Sequence, residues 1–178
     1  MAWVYILVAP LAAVALAVLY NFIWYAIHEY SHVAALKLSL GKHLQSYKVR
    51  LYPHDLYGEW VPASVTWNTT RDLTAREVAR IAIAPLVVEF FAGIGFMGSC
   101  VFLSDAFVHS YFLFFLWATF CFAGMNNAMA SLVCTSATSD LYVFSRATGH
   151  PIWEIKAYGW FFIALSALLG FFFIAVTI

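Results

Sequence analysis

The chain reads as an all-α integral membrane protein of about four transmembrane helices, with a small β-hairpin between the first and second. Three observations lead there. Residues of the AVILMFWYC set fill 64 % of the 178 positions and charged residues only 10 %, against about 45–50 % and about 25 % in soluble domains. Four apolar stretches, Ala2 to Leu36, Ile81 to Leu103, Val108 to Cys134 and Ile152 to Ile178, each supply the roughly 20 residues that a hydrocarbon core about 30 Å thick demands. Between the first two, the texture changes to short aromatic and β-branched pieces. The length is that of one domain, residues 1–178, with spans expected at about 2–40, 75–104, 107–134 and 152–178 and the hairpin at about 45–70.

The first stretch would measure roughly 50 Å as a helix at about 1.5 Å per residue, more than a perpendicular crossing needs. No Pro or Gly between Leu11 and Leu38 offers a turn, so one long tilted helix is expected, ending near Gly41 and Lys42. Its start lacks a basic n-region and a small-residue cleavage site, which favours a retained span over a signal peptide. The hairpin is expected from Tyr47 to Tyr52 and Trp60 to Trp67, around Pro53-His54-Asp55-Leu56-Tyr57-Gly58. Its strands are too short and its middle too polar to span, which puts it at the membrane surface or dipped in beside the first helix. Thr74-Ala75-Arg76-Glu77 has the form of a capping box and opens the second helix.

Positive charge sets the orientation. Lys37, Lys42, Lys48, Arg50, Arg71, Arg76 and Arg80 lie between the first and second spans, Arg146 and Lys156 between the third and fourth, and none at Ser104 to Ser110. The positive-inside rule then places the first and third connections in the cytoplasm and both termini opposite. A net charge of zero gives no electrostatic reason to bind nucleic acid. Cys100, Cys121 and Cys134 have no paired spacing and read as buried small hydrophobes. His43, His54, His109 and His150 lack ligand spacing and read as surface residues.

The chemistry is carried by His28-Glu29-Tyr30-Ser31-His32, an H-E-x-x-H motif in a stretch whose sole charge from Ala2 to Leu36 is Glu29. Four residues apart on a helix, the two imidazoles share a face and can bind one zinc, with Glu29 within reach of a water in the open position. Zinc needs a third protein ligand. Asp140 is the candidate, because the small polar breaker Thr135-Ser136-Ala137-Thr138-Ser139 lets the chain unwind and turn a carboxylate inward. Glu89, a carboxylate inside the second span, is the alternative ligand. The plain alternatives are polar groups paired between helices for the motif, a helix cap for Asp140, and interhelical hydrogen bonding for Asn126 and Asn127.

His28-Glu29-Tyr30-Ser31-His32 with Ala34-Ala35 and Gly41 resembles the active-site helix of the site-2 protease family of intramembrane zinc metalloproteases. Ala84-Pro85-Leu86-Val87-Val88 is similar to that family's G-P-x-x-N element, Asn126 or Asn127 to the Asn ahead of its Asp, and Ser139-Asp140-Leu141 to its L-D-G. The sequence departs from the family pattern at Ala84, Val88 and Leu141. The resemblance, over roughly Asn21 to Gly149, implies a minimal core without a PDZ domain, one Zn2+ held by His28, His32 and Asp140, and Glu29 as catalytic base. It further implies Asn126 or Asn127 as a substrate or oxyanion group, membrane-anchored proteins as substrates, and peptide hydrolysis in or near the bilayer. Two rival readings use the same residues: a membrane zinc-dependent hydrolase of lipid amides or esters, and a non-catalytic metal-binding membrane protein.

Overall fold

The computed structural model describes the backbone of residues 2–102, 111–134, 136 and 139–177, and the side chains of 11–91, 116, 119–120, 123–134, 136, 139–165 and 168. His109, the connection at 104–110, Thr135, Ala137, Thr138 and the side chains of Cys100 and Cys121 lie outside the described residues.

The described chain is mostly helical. Helix α1 runs unbroken over Ala2–Leu40, and Gly41, at φ 49°, ends it in a 3-10 turn, Gly41–His43. A residue just past a helix end commonly takes this left-handed conformation, which glycine adopts without a Cβ penalty. Strand β1 (Leu44–Arg50) pairs antiparallel with β4 (Ser64–Thr69), Tyr47 opposite Trp67 and Val49 opposite Val65. Between them β2 (His54–Leu56) pairs with β3 (Glu59–Val61). The two residues joining these, Tyr57 and Gly58, have φ of 56° and 87°, the positive values that a twisted two-residue hairpin turn requires. The expected strand from Trp60 to Trp67 is therefore two pieces. Pro62 interrupts it because it has no N–H for a ladder, and Pro53 stands at the matching break on the other side.

Helix α2 (Ala75–Phe102) opens as its capping box demands. The Glu77 N–H donates to Thr74 Oγ1 at 3.3 Å, and the Thr74 N–H donates back to Glu77 Oε2 at 2.9 Å. There follow α3 (Tyr111–Val133), the short α4 (Asp140–Thr148) and α5 (Ile152–Thr177). Lys156 Nζ donates to the Cys134 carbonyl at 3.0 Å, placing a cation on the C-terminal end of α3 where the helix dipole favours it. Cys134 itself is half-buried rather than enclosed.

Contacts fix the helix directions. Tyr20 and Trp24 meet the backbone of Leu116 and Phe120 in turn, so α1 and α3 run parallel. His28 and His32 meet Glu89 and Ile81 in the reverse order, so α2 is antiparallel to both. Two apolar clusters hold the bundle at one end. Leu36, Leu40 and Ile81 join α1 and α2 to the hairpin through Leu44 and Val65, while Leu132, Leu141 and Ile155 join α3, α4 and α5 to α2 through Ile83 and Leu86.

Among the described residues one helix, over Leu11–His43, is long and apolar enough to cross a membrane. Only 6 % of its most apolar window is buried by the rest of the chain.

Candidate metal centre

Residues 20, 24, 28 and 32 of α1 are spaced by four and lie along one face. The first two seat the helix. Trp24 is fully buried, stacks on Phe120 at 5.3 Å and donates Nε1–H to the Phe120 carbonyl at 3.1 Å. Tyr20 meets the same ring edge-on and donates its hydroxyl to Leu116. Gly124 makes room, since a Cβ there would stand 2.2 Å from Trp24 Cζ2. One turn further along, His28 is thereby held against α2, and two turns along, His32.

Both imidazoles use Nδ1 on α2. His32 Nδ1 lies 2.8 Å from the Ile81 carbonyl, an acceptor with no proton to give, so this nitrogen carries the hydrogen. His28 Nδ1 lies 2.9 Å from Glu89 Oε1, which also accepts Asn127 Nδ2–H at 2.7 Å. Each neutral ring then turns an Nε2 lone pair the other way. Both point at one atom: Asp140 Oδ2 is 3.0 Å from His28 Nε2 and 3.3 Å from His32 Nε2.

Contacts this short need a positive centre between the three groups, either a proton on an imidazole or a metal ion. His28, His32 and Asp140 offer donor atoms all within 4.8 Å of one another and could hold a metal ion. The donor set suits zinc: two imidazoles and a carboxylate leave a fourth position open, and ligands about 2.0–2.1 Å from a tetrahedral ion stand about 3.3–3.4 Å apart. Access comes from the Asp140 side, whose side chain keeps 31 % of its surface against 17 % for His28 and 11 % for His32.

Asp140 arrives by the chain break expected before it. Cys134 and Ser136 are not helical, and Ser139, extended at φ −65° and ψ 149°, precedes the first residue of α4. Ser139 makes no side-chain cap and instead donates Oγ–H to the Ser136 carbonyl at 2.8 Å. The Asp140 carboxylate is thus spent on the histidines rather than on capping, at a helix N-terminus that favours negative charge.

Glu29 is buried beside this group but is not among the donors. The hairpin is laid against the last turns of α1. Leu44 packs against the cluster of Leu36, Leu40 and Ile81, and Lys37 Nζ sits 5.0 Å from the centre of the Tyr47 ring. The ribbon therefore folds back along the last turns of α1 toward the metal centre. At its far end Glu59 Oε2 accepts the Ser136 hydroxyl at 2.6 Å, bridging the hairpin to the segment that delivers Asp140.

Of the residues singled out in the sequence, His28, His32 and Asp140 come together with Glu29 alongside. Glu89 stands behind His28, not with the donors, and its side chain is wholly buried. Asn127 is occupied by Glu89, while Asn126 is exposed. His54 differs from the surface residue expected: it is half-buried, with Nδ1–H given to the Tyr52 carbonyl at 2.7 Å and Nε2 accepting from Ser64 Oγ at 2.8 Å. No local signal foretells that, because it depends on how the ribbon docks. The Ile81 carbonyl was also missed, although Pro85 four residues on is the sign that it lacks a helical partner.

No family model matches the chain, and no curated protein or solved structure does either.

Proposed function

We propose that the protein is an intramembrane zinc endopeptidase of four spans, cleaving membrane-anchored proteins in or near the bilayer. The observation that carries this reading is the convergence of His28 Nε2, His32 Nε2 and Asp140 Oδ2 with Glu29 beside them, on a helix whose apolar surface is left bare. The alternating directions of α1, α2 and α3 support successive crossings. They also gather the basic connections after α1 and after α3 at one end, the cytoplasmic end by the positive-inside rule.

Zinc, when bound, supplies an acidified water and polarises the scissile carbonyl. Glu29, outside the donor set, would accept a proton from the attacking water and would pass it to the leaving nitrogen of the scissile bond. A helical substrate has its amides paired and must be drawn out locally. Strands β1 and β4 are each paired on one side only, so either can hold an extended segment by strand addition.

Glu29→Gln is the test. The purified variant is expected to keep about one zinc per chain and to lose cleavage of a transmembrane peptide. Unimpaired peptide cleavage sinks the reading, and lipid turnover lost in place of peptide cleavage transfers it to a lipid amide or ester hydrolase. Lys42→Cys and Gly149→Cys are expected to react with an impermeant thiol reagent from the cytoplasmic face alone. Labelling of the two from opposite faces removes the four-span arrangement.

A further inference from the structure

Helix α2 contributes none of the three donors, yet it meets both imidazoles from behind. Ile81, Pro85 and Glu89 are spaced by four on one face, opposite His32 and His28, also four apart. In an uninterrupted helix the N–H of residue 85 would pair with the carbonyl of residue 81. Proline has no N–H, and its ring pushes that carbonyl aside. The oxygen so released is the one that takes His32 Nδ1–H at 2.8 Å. One turn on, Glu89 Oε1 takes His28 Nδ1–H at 2.9 Å and is tethered by Asn127 at 2.7 Å.

Charge points the same way. A dication with Asp140 as its sole anionic ligand keeps one positive charge within its donor set, which the carboxylates around it, Glu29 and Glu89, can offset. The Glu89 carboxylate supplies negative charge from behind the His28 ring. Its Oε2 is buried with no hydrogen-bond partner among the described residues. Such an oxygen is costly to enclose, and a cation on the far side of the imidazole offsets that cost.

We infer that α2 is the positioning element of the metal centre. The Ile81 carbonyl freed by Pro85 and the Asn127-tethered Glu89 carboxylate hold His32 and His28 with both Nε2 atoms on the metal. The inference rests on the metal-binding reading above and goes beyond it. It assigns Pro85 to ligand orientation rather than to bending α2, and Glu89 to the outer side of a ligand rather than to the ion.

The test measures zinc affinity of the full chain in detergent, by competition with a chromophoric chelator, beside thermal unfolding of the metal-free protein. Pro85→Ala restores an N–H that draws the Ile81 carbonyl back into α2. Metal-free unfolding is expected at the same or a higher temperature, with zinc bound about tenfold more weakly. A merely structural proline would give the opposite pattern. Glu89→Gln keeps an acceptor but loses the charge and is expected to weaken zinc about tenfold, Glu89→Ala up to about a hundredfold. Should the Glu89 variants fail to fold, Asn127→Ala, which unties Glu89, is expected to weaken zinc by about tenfold. Wild-type affinity in Pro85→Ala together with Glu89→Gln or Asn127→Ala overturns the inference and leaves the metal site standing. A wild-type chain that binds no zinc removes both.

Discussion

One turn of α1 separates two ways of seating a helix. At Trp24 the contact is set by shape: a fully buried indole fills the space left by Gly124 and stacks on Phe120. At His28 it is set by hydrogen bonds and charge, with Glu89 behind the ring and Asp140 in front. Shape tolerates little error but needs no partner groups, whereas each buried polar atom requires one. The apolar level therefore fixes the distance and register of α1 against α3. The polar level, presented with that geometry, gathers three donors that could hold a metal ion.

The comparison breaks most readily at Gly124. Gly124→Ala brings a methyl to 2.2 Å of the Trp24 ring, an overpacking expected to cost roughly 1–3 kcal/mol or more and to remove zinc binding with it. Denaturant unfolding and metal analysis check both, and wild-type values in each would show that shape does not set the register. Asp140→Asn attacks the polar level alone. Zinc is expected to fall from about one per chain to none, while the unfolding free energy of the metal-free protein stays within about 1 kcal/mol. Thr74→Ala, at the remote start of α2, is expected to cost about 1 kcal/mol through loss of the N-cap with zinc content unchanged. Loss of zinc there would mean that the whole of α2, not the level of the histidines, holds the site.

The same helix start has a pH signature. Arg71, and then the Thr74 N–H and hydroxyl, hold the Glu77 carboxyl down to about 2 from 4.5. Because the folded value is the lower one, its contribution is fully present above pH 4.5 and is lost as the pH falls through about 2. Glu77→Gln should flatten unfolding against pH in that window, and an unchanged slope would show the Arg71 pair to be inert. The smallest effect belongs to the hairpin tip. Ser136→Ala removes the hydroxyl given to Glu59 and should change stability by less than about 0.5 kcal/mol, while amide exchange over Glu59 to Val61 quickens.

What could be read ahead of the structure was local. The i, i+4 pairing of His28 and His32 follows from helical periodicity, the Thr74–Glu77 box from one turn of chain, and the break before Asp140 from four small hydroxyl residues at 135, 136, 138 and 139. Pro62, present all along, splits the outer strand, yet alternation alone ran the strand through it. The sequence favoured Asp140 over Glu89 as the third donor through the polar breaker ahead of it, but left Glu89 open, because both are carboxylates separated from the histidines by a long intervening chain. Asn126 and Asn127 could not be sorted either. Neighbours on a helix point about 100° apart, and only the placement of α3 turns Asn127 onto Glu89 and leaves Asn126 exposed.

The sequence by itself determined an unusually apolar chain, a first helix without a break, and two imidazoles and a carboxylate clustered on one turn of it. These are matters of composition and of spacing within a few residues, where backbone geometry dictates the outcome. Only the tertiary structure decided that Asp140 meets the imidazoles from the front and Glu89 from behind, that His32 lies against the Ile81 carbonyl, and that the ribbon folds back until Glu59 meets Ser136. Those outcomes depend on how separate helices dock, and the docking is settled by the fit of side chains such as Trp24 into the space at Gly124, which no local pattern encodes.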